Sequence, residues 1–444
     1  MNKIIKLFGG LVGPGAVIAA GTMGAGSVAT LILAGAWFRY DLLWVVIFSL
    51  PLFIVAVDSS SRIGSINRGE GILSIVGHHI HPSIAWILLL VNVPIHILVA
   101  MGQFSMMTSA FLSLFGAHPP GLSAPQAQID QYLLIEIGTS IFLAGFVLWV
   151  VLSHGYDRIQ KAMTAMMVLM FFCFLVIALR SFSEAGDIVA GFIPKIPDDL
   201  VVPGQDTYRH SSGSIIAIVG GAIAPGALLV IPYMSSDASK GTPTLRQDLR
   251  EFIINLGFIY GAYAVFILIA GGFALHPLSD HAEIETVHAA GQVLTKALPE
   301  SIGLVGPTIF TLGLFIAAMT TLVISVQVVV YLSLDMFNKP WTYSSENKLY
   351  LKLVIVVTMT AGALAPVWSF PAMLKVVLLM GVNVLVIPLV IIAMIYLVNR
   401  QSVMGKHTAS LWRNILLALC LIVSVALAAD AVPDYLLQFS NISS

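Results

Sequence analysis

Two stretches of backbone, rather than any cluster of reactive side chains, carry the chemistry this chain could do. Gly21-Thr22-Met23-Gly24-Ala25-Gly26 and Gly221-Ala222-Ile223-Ala224-Pro225-Gly226 lie 200 residues apart, and each opens and closes with Gly five positions apart. Both sit in the middle of apolar segments. At membrane depth every N–H and C=O needs a partner, so a helix breaker survives there only where it is buried or lines a polar cavity. Unwound backbone exposes N–H groups beside a half-helix N-terminus with partial positive charge, which favours carboxylates or neutral hydrogen-bonding solutes. Thr22, Met23, Gly24, Gly26, Ser27, Ala224, Pro225 and Gly226 are therefore the expected binding residues. Hydroxyls of Thr22 and Ser27 add dipoles but no countercharge. Between 11 and 35 and between 212 and 236 there is no Asp, Glu or His. Divalent cations want carboxylate, imidazole or sulfur ligands, and Met23 alone is one thioether.

Further polar groups lie in other apolar segments. Asn92, His96 and Gln103 are spaced by 4 and 7, which places them on one stripe of a helix. Polar groups inside a membrane usually face the bundle interior and mark a pathway. His96 is the natural candidate for proton coupling, because imidazole titrates near neutrality. Asn383 joins the expected binding set, and Lys375 is placed at the outer end of its segment, snorkelling or attracting anions. His78, His79 and His81 read as a membrane-flanking loop, and Asp280, His281, Glu283, Glu285 and His288 as a solvated one. No metal centre and no catalytic residue is expected.

The elements that must position these groups follow from composition. Of 444 residues, 58% are hydrophobic and 10% charged, with a net charge of −1; soluble chains carry about 25% charged residues. Near-neutral charge gives no case for nucleic acid. Cys173 and Cys420 both lie in apolar runs and read as buried hydrophobes. Eleven segments are long enough to cross a bilayer at ~20 residues each: 11–35, 41–60, 84–116, 131–153, 160–181, 212–236, 252–275, 302–334, 350–367, 371–398 and 410–431. With the N-terminus inside, only Arg39, Arg180, Lys195, Arg209, Lys296 and Lys375 of the 21 basic residues fall outside. Spans one to five then begin inside and spans six to ten outside. The two broken spans run antiparallel, as in a five-plus-five inverted repeat with one extra span. The expected organisation is one domain, 1–444, with repeats at about 11–181 and 212–398 and the extra span at 410–431.

Gly13-Pro14-Gly15, the run Gly35-Ala36-Trp37-Phe38-Arg39-Tyr40-Asp41-Leu42-Leu43-Trp44-Val45-Val46, and Ile387-Pro388-Leu389-Val390 resemble the NRAMP divalent-metal transporters. The similarity spreads over most of the chain in span order and spacing. It implies an all-α membrane protein of the LeuT-type fold, in the APC superfamily, working by alternating access with spans 1 and 6 unwound. The family's chemistry does not carry over with it. Its first-span Asp-Pro-Gly-Asn falls on Gly24-Ala25-Gly26-Ser27, and its sixth-span Met-Pro-His on Ala224-Pro225-Gly226. Its tenth-span Gln falls at Gly381, and its third-span acids at Ala100 and Gln103. Gly24-Ala25-Gly26-Ser27 is also similar to the Gly-rich first-span break of amino-acid transporters with this fold.

The expectation from sequence is a secondary transporter, not an enzyme, that moves a small non-metal solute, organic and carboxylate-bearing or neutral polar. Two alternatives stand beside it: a divalent metal ion (Mn/Fe/Mg-type) transporter with an altered site, and a channel-like, sensor or accessory membrane protein. No cofactor is expected, and coupling to H+ or Na+ is left open. The expected partners are the solute and the lipid bilayer, with no nucleic acid, and the chain is taken as a monomer. The expected location is a bacterial inner membrane, multi-pass, with the N-terminus cytoplasmic and the C-terminus outside.

Overall fold

The structure, a computed structural model, describes residues 19, 21–120, 124–152, 168, 171–172, 174–201, 208–238, 245–276, 287, 291, 306–342, 346–368 and 371–442. Gly13-Pro14-Gly15, the start of span one, most of span five, Cys173, and Asp280, His281, Glu283, Glu285 and His288 lie outside these residues.

Fourteen α-helices of eight residues or more carry the described fold, with a π-helical stretch, Ile253–Tyr260, inside the seventh span. They are α1 (Ala25–Phe38), α2 (Leu43–Ile66), α3 (Ile72–His79), α4 (Pro82–Leu114), α5 (Gln126–Leu152), α6 (Ser211–Ala222) and α7 (Pro225–Ala238). After these come α8 (Leu245–Phe252), α9 (Gly261–Ala274), α10 (Gly306–Met336), α11 (Lys348–Leu364), α12 (Ala372–Val382), α13 (Ile387–Asn399) and α14 (Leu411–Ile442). Eight helical spans among the described residues are long and apolar enough to cross a membrane, and nine when the bent pair α12–α13 counts as one. Exposed apolar side chains such as Leu134, Phe142, Phe258 and Ile422 stand on the outside of the bundle, where lipid removes the cost of exposing them to water. One short ribbon, β1 (Leu200–Val201) paired antiparallel with β2 (Tyr208–Arg209), precedes α6.

Burial ranks the spans. All fourteen residues of α1 are buried, and 94% of the apolar window across α6–α7 is buried against 22% for the last span. A helix apolar all round belongs in the centre of a bundle, so the two interrupted spans form the core. Long α4 packs along α10, α1 against α9, α7 against α2, and α6 against α12. Close approach explains some of the glycines: a β-carbon at Gly35 would lie 2.3 Å from Leu268 O, and one at Gly64 2.1 Å from Pro232 O. Small residues let helices in membranes touch backbone to backbone. Hydroxyls add glue between α2 and α7, where Ser60 donates to Leu228 O and the Ser61 and Ser235 Oγ atoms lie 2.8 Å apart.

Polar groups hold the ends. Outside the membrane, Asp199 accepts from Ser211 N–H at 2.9 Å and from His210, so it caps α6 although it is 12 residues upstream. That backbone hydrogen bond, with help from His210, holds its carboxyl below the usual range. Asp58 is 1% exposed and pairs with Arg62 and with Arg413, tying α2 to α14. His81 accepts from Ser83 N–H and caps α4, whereas His78 and His79, expected in a loop, lie in the last turn of α3.

Candidate functional site

Both interruptions occur where the residue pattern places them. Met23 N–H closes one half on Ala19 O at 2.9 Å, and Val28 N–H opens the next on Gly24 O at 3.1 Å. In the second span Ile223 N–H ends α6 on Val219 O at 2.8 Å, and Ala227 N–H begins α7 on Ala224 O at 3.0 Å. Pro225 has no N–H to lose at that first position. Other spans supply partners for carbonyls the breaks set free. Thr321 of α10 donates its hydroxyl to Gly21 O at 2.9 Å, and Asn383 donates Nδ2 to Gly220 O at 3.5 Å.

Asn383 reaches that position because the tenth span bends. Pro388, near the start of α13, cannot donate to the carbonyl four residues back. A single 3-10 turn, Asn383–Leu385, replaces the α-helical ladder, and α12 and α13 meet at 41°.

A cavity of about 50 Å³ lies between the two breaks. At roughly 10–15 Å³ per water it has room for a few waters or a partly hydrated ion. Thr22, Gly24, Gly26, Ser27, Ala224, Gly226, His96 and Asn383 all line it. Met23 and Pro225 do not; Met23 is packed in the core at 6% exposure. Gly24 has φ −71° and ψ 174°, angles open to any residue, so its lack of a side chain matters through space. A β-carbon there would lie 1.5 Å from Thr321 Oγ1, and one at Gly226 2.2 Å from His96 Nε2. Alanine at either position would therefore overpack the wall and cost stability as well as cavity space.

Along α4 the polar stripe splits. His96 faces the cavity, whereas Asn92 and Gln103 are fully buried beyond its walls. Asn92 donates to Leu88 O at 2.8 Å. Neither amide atom of Gln103 has a hydrogen-bond partner. Lys375, expected at the outer rim, is 2% exposed and donates to Ser105 Oγ at 2.9 Å and Ala365 O at 3.0 Å, with Trp368 beside it. Burial among these partners replaces the anticipated snorkelling. Residue-type reasoning also missed Met380, Thr321 and Ser325, which line the same cavity. Thr321 and Ser325 stood out only as hydroxyls four apart in a long apolar run, and Met380 carried no signal.

The sequence model of the Nramp family, described as natural resistance-associated macrophage protein-like, matches residues 15–432. The chain belongs to the Nramp family. Among its relatives, the divalent metal cation transporter MntH of Brucella suis is 21% identical over 95% of this chain and 88% of its own length. A crystal structure of a mutant Eremococcus coleocola manganese transporter superposes with a TM-score of 0.70 at 15% identity, covering 96% of this chain and 87% of that one. MhsT in complex with L-phenylalanine superposes with a TM-score of 0.59 at 12% identity, over 91% of this chain and 98% of that one, a likeness of fold alone. Nramp membership and these superpositions give a multi-pass membrane transporter of the LeuT-type fold.

For the cargo, family membership corrects the expectation of an organic or other non-metal solute. The Nramp relatives are named for divalent metal cations and for manganese. The physical reason for the error is local. The two broken spans carry no Asp, Glu or His, while the cavity they share is also walled by His96 from α4 and by Met380 and Asn383 from the tenth span. Among the described residues no three His, Cys, Asp or Glu side chains converge on a metal position.

Proposed function

We propose that the chain is a divalent metal ion transporter with an altered site, working by alternating access. The observation that carries this reading is a small cavity at both helix breaks, mainly apolar but reached by Thr22, Ser27, His96 and Asn383, in a chain that belongs to the Nramp family. Breaks in corresponding halves of a secondary transporter mark its binding site, and the carbonyl ends of the half-helices offer negative partial charge to a cation. Without a carboxylate in the lining, affinity should be weaker than in a site with charged ligands, because ligand charge sets cation affinity over several decades. The chain acts as a single domain in a bacterial inner membrane, with the N-terminus in the cytoplasm and the C-terminus outside.

The test is uptake into proteoliposomes, with Mn2+, Co2+, Zn2+ and Mg2+ supplied one at a time. Saturable accumulation of at least one of them above protein-free vesicles is the expected result. No accumulation of any of the four by correctly folded protein would overturn the proposal.

A further inference from the structure

We propose that the ion is held by His96 Nε2, Met380 Sδ and Asn383 Oδ1, a neutral nitrogen–sulfur–oxygen set from spans three and ten that selects Co2+, Ni2+ or Zn2+ over Mg2+. This rests on the divalent-cation reading above and names its ligands and metal class.

His96 is fixed for the purpose. Its Nδ1 lies 2.7 Å from Asn92 O, and a carbonyl only accepts, so Nδ1 carries the proton of the neutral ring. The lone pair is left on Nε2, which faces Gly226 in the cavity wall, where a β-carbon would lie 2.2 Å away. An imidazole whose second nitrogen donates to a carbonyl is the usual arrangement of a metal-binding histidine.

Met380 puts its sulfur between the broken spans: Sδ would lie 3.0 Å from a β-carbon at Gly26 and 3.8 Å from one at Gly221. Asn383 is 3% exposed, and its Nδ2 donates to Gly220 O at 3.5 Å and to that same sulfur at 4.0 Å. The Gly220 carbonyl orients the amide, and Oδ1 is left buried with no hydrogen-bond partner. Buried acceptors are rarely left so, and a cation would satisfy this one. Ser27, whose Oγ would lie 3.4 Å from a β-carbon at Gly221, adds a hydroxyl to the same wall.

The donor types decide the class of metal. Mg2+ and Ca2+ take oxygen shells that usually include carboxylates, and none is present in the lining. Imidazole and thioether favour the later first-row ions. Neutral ligands leave the ion's charge to be offset only by backbone and side-chain dipoles, so binding is weak and release into the far compartment is easy.

The experiment uses tag-free, full-length protein and has two readouts. Calorimetric titration with Zn2+, Co2+ and Mg2+ gives affinity, and X-ray absorption at the Zn edge reports whether a sulfur atom is bound. The expected result is binding of Zn2+ and Co2+ but not Mg2+, with one sulfur scatterer. Met380→Leu, close in volume, should remove that scatterer and weaken binding about tenfold or more, and Asn383→Ala should also weaken it. Zinc on surface histidines would show no sulfur and no response to Met380→Leu, which would overturn the ligand assignment. Uptake that persists unchanged in both variants would also overturn it while leaving divalent-cation transport standing. Absence of both binding and uptake in the unmodified protein would remove the two readings together.

Discussion

Replacing Asp335 with alanine is expected to lower the stability of the fold by about 3–5 kcal/mol. Asp335 lies near the end of α10 and is 3% exposed. Its carboxylate accepts from Leu73 N–H at 2.8 Å, from the Ser74 hydroxyl at 2.5 Å and from Tyr233 O–H at 2.7 Å. The first two partners sit in the opening turn of α3, where backbone donors have no intrahelical acceptor and negative charge is favoured. The third is on α7, within an aromatic cluster with Tyr331 and Trp341. One side chain thus clamps α10, α3 and the second half of the sixth span. Alanine removes the charged acceptor that the Leu73 amide, the Ser74 hydroxyl and the Tyr233 hydroxyl share, at roughly 1–3 kcal/mol for each bond to a charged group. The Asp335→Asn variant keeps an acceptor and should lose clearly less. Thermal unfolding of the detergent-solubilised protein measures both. A midpoint for Asp335→Ala indistinguishable from that of the unmodified chain would contradict this account of the clamp.

Gly226→Ala is expected to abolish uptake and to destabilise the protein by about 1–3 kcal/mol, the usual range for overpacking. The new methyl would meet His96 Nε2 at 2.2 Å, His96 Cδ2 at 2.8 Å and Val328 Cγ2 at 3.2 Å. The ring cannot turn aside without giving up its hydrogen bond to Asn92 O. A double variant, Gly226→Ala with His96→Ala, separates packing from binding, because removing the ring restores the space but not the ligand. Stability should recover while uptake stays absent. Neighbours in contact are expected to be non-additive in this way. If uptake survives in Gly226→Ala, the cavity at the breaks is not the transport route.

The architecture was readable because bilayer chemistry punishes exceptions. Glycine and proline inside apolar segments stand out against a background that must form continuous helix, and so the breaks at Gly24 and Ala224 could be placed closely. Span positions followed from length and composition for the same reason. What could not be read was which helices meet. Met380 is one of 17 methionines, and only the bend at Pro388 and the packing of α12 on α6 bring its sulfur beside the broken spans. Lys375 looked like a rim residue until Ser105, Ala365 and Trp368 proved to surround it. Asp335 meets Leu73 across 262 residues of sequence, and Asp58 meets Arg413 across 355, beyond any local pattern. The cargo was misjudged for a related reason: absence of Asp, Glu and His from two spans says little when other spans also wall the cavity.

On the proposal above, a divalent cation sits between the two breaks, against His96, Met380 and Asn383. Anomalous scattering from crystals of the full chain equilibrated with Co2+ or Zn2+ tests it most directly. An anomalous peak is expected in the cavity between Gly24 and Ala224, within bonding distance of the Met380 sulfur. A metal-loaded protein whose peaks all lie outside that cavity would contradict it.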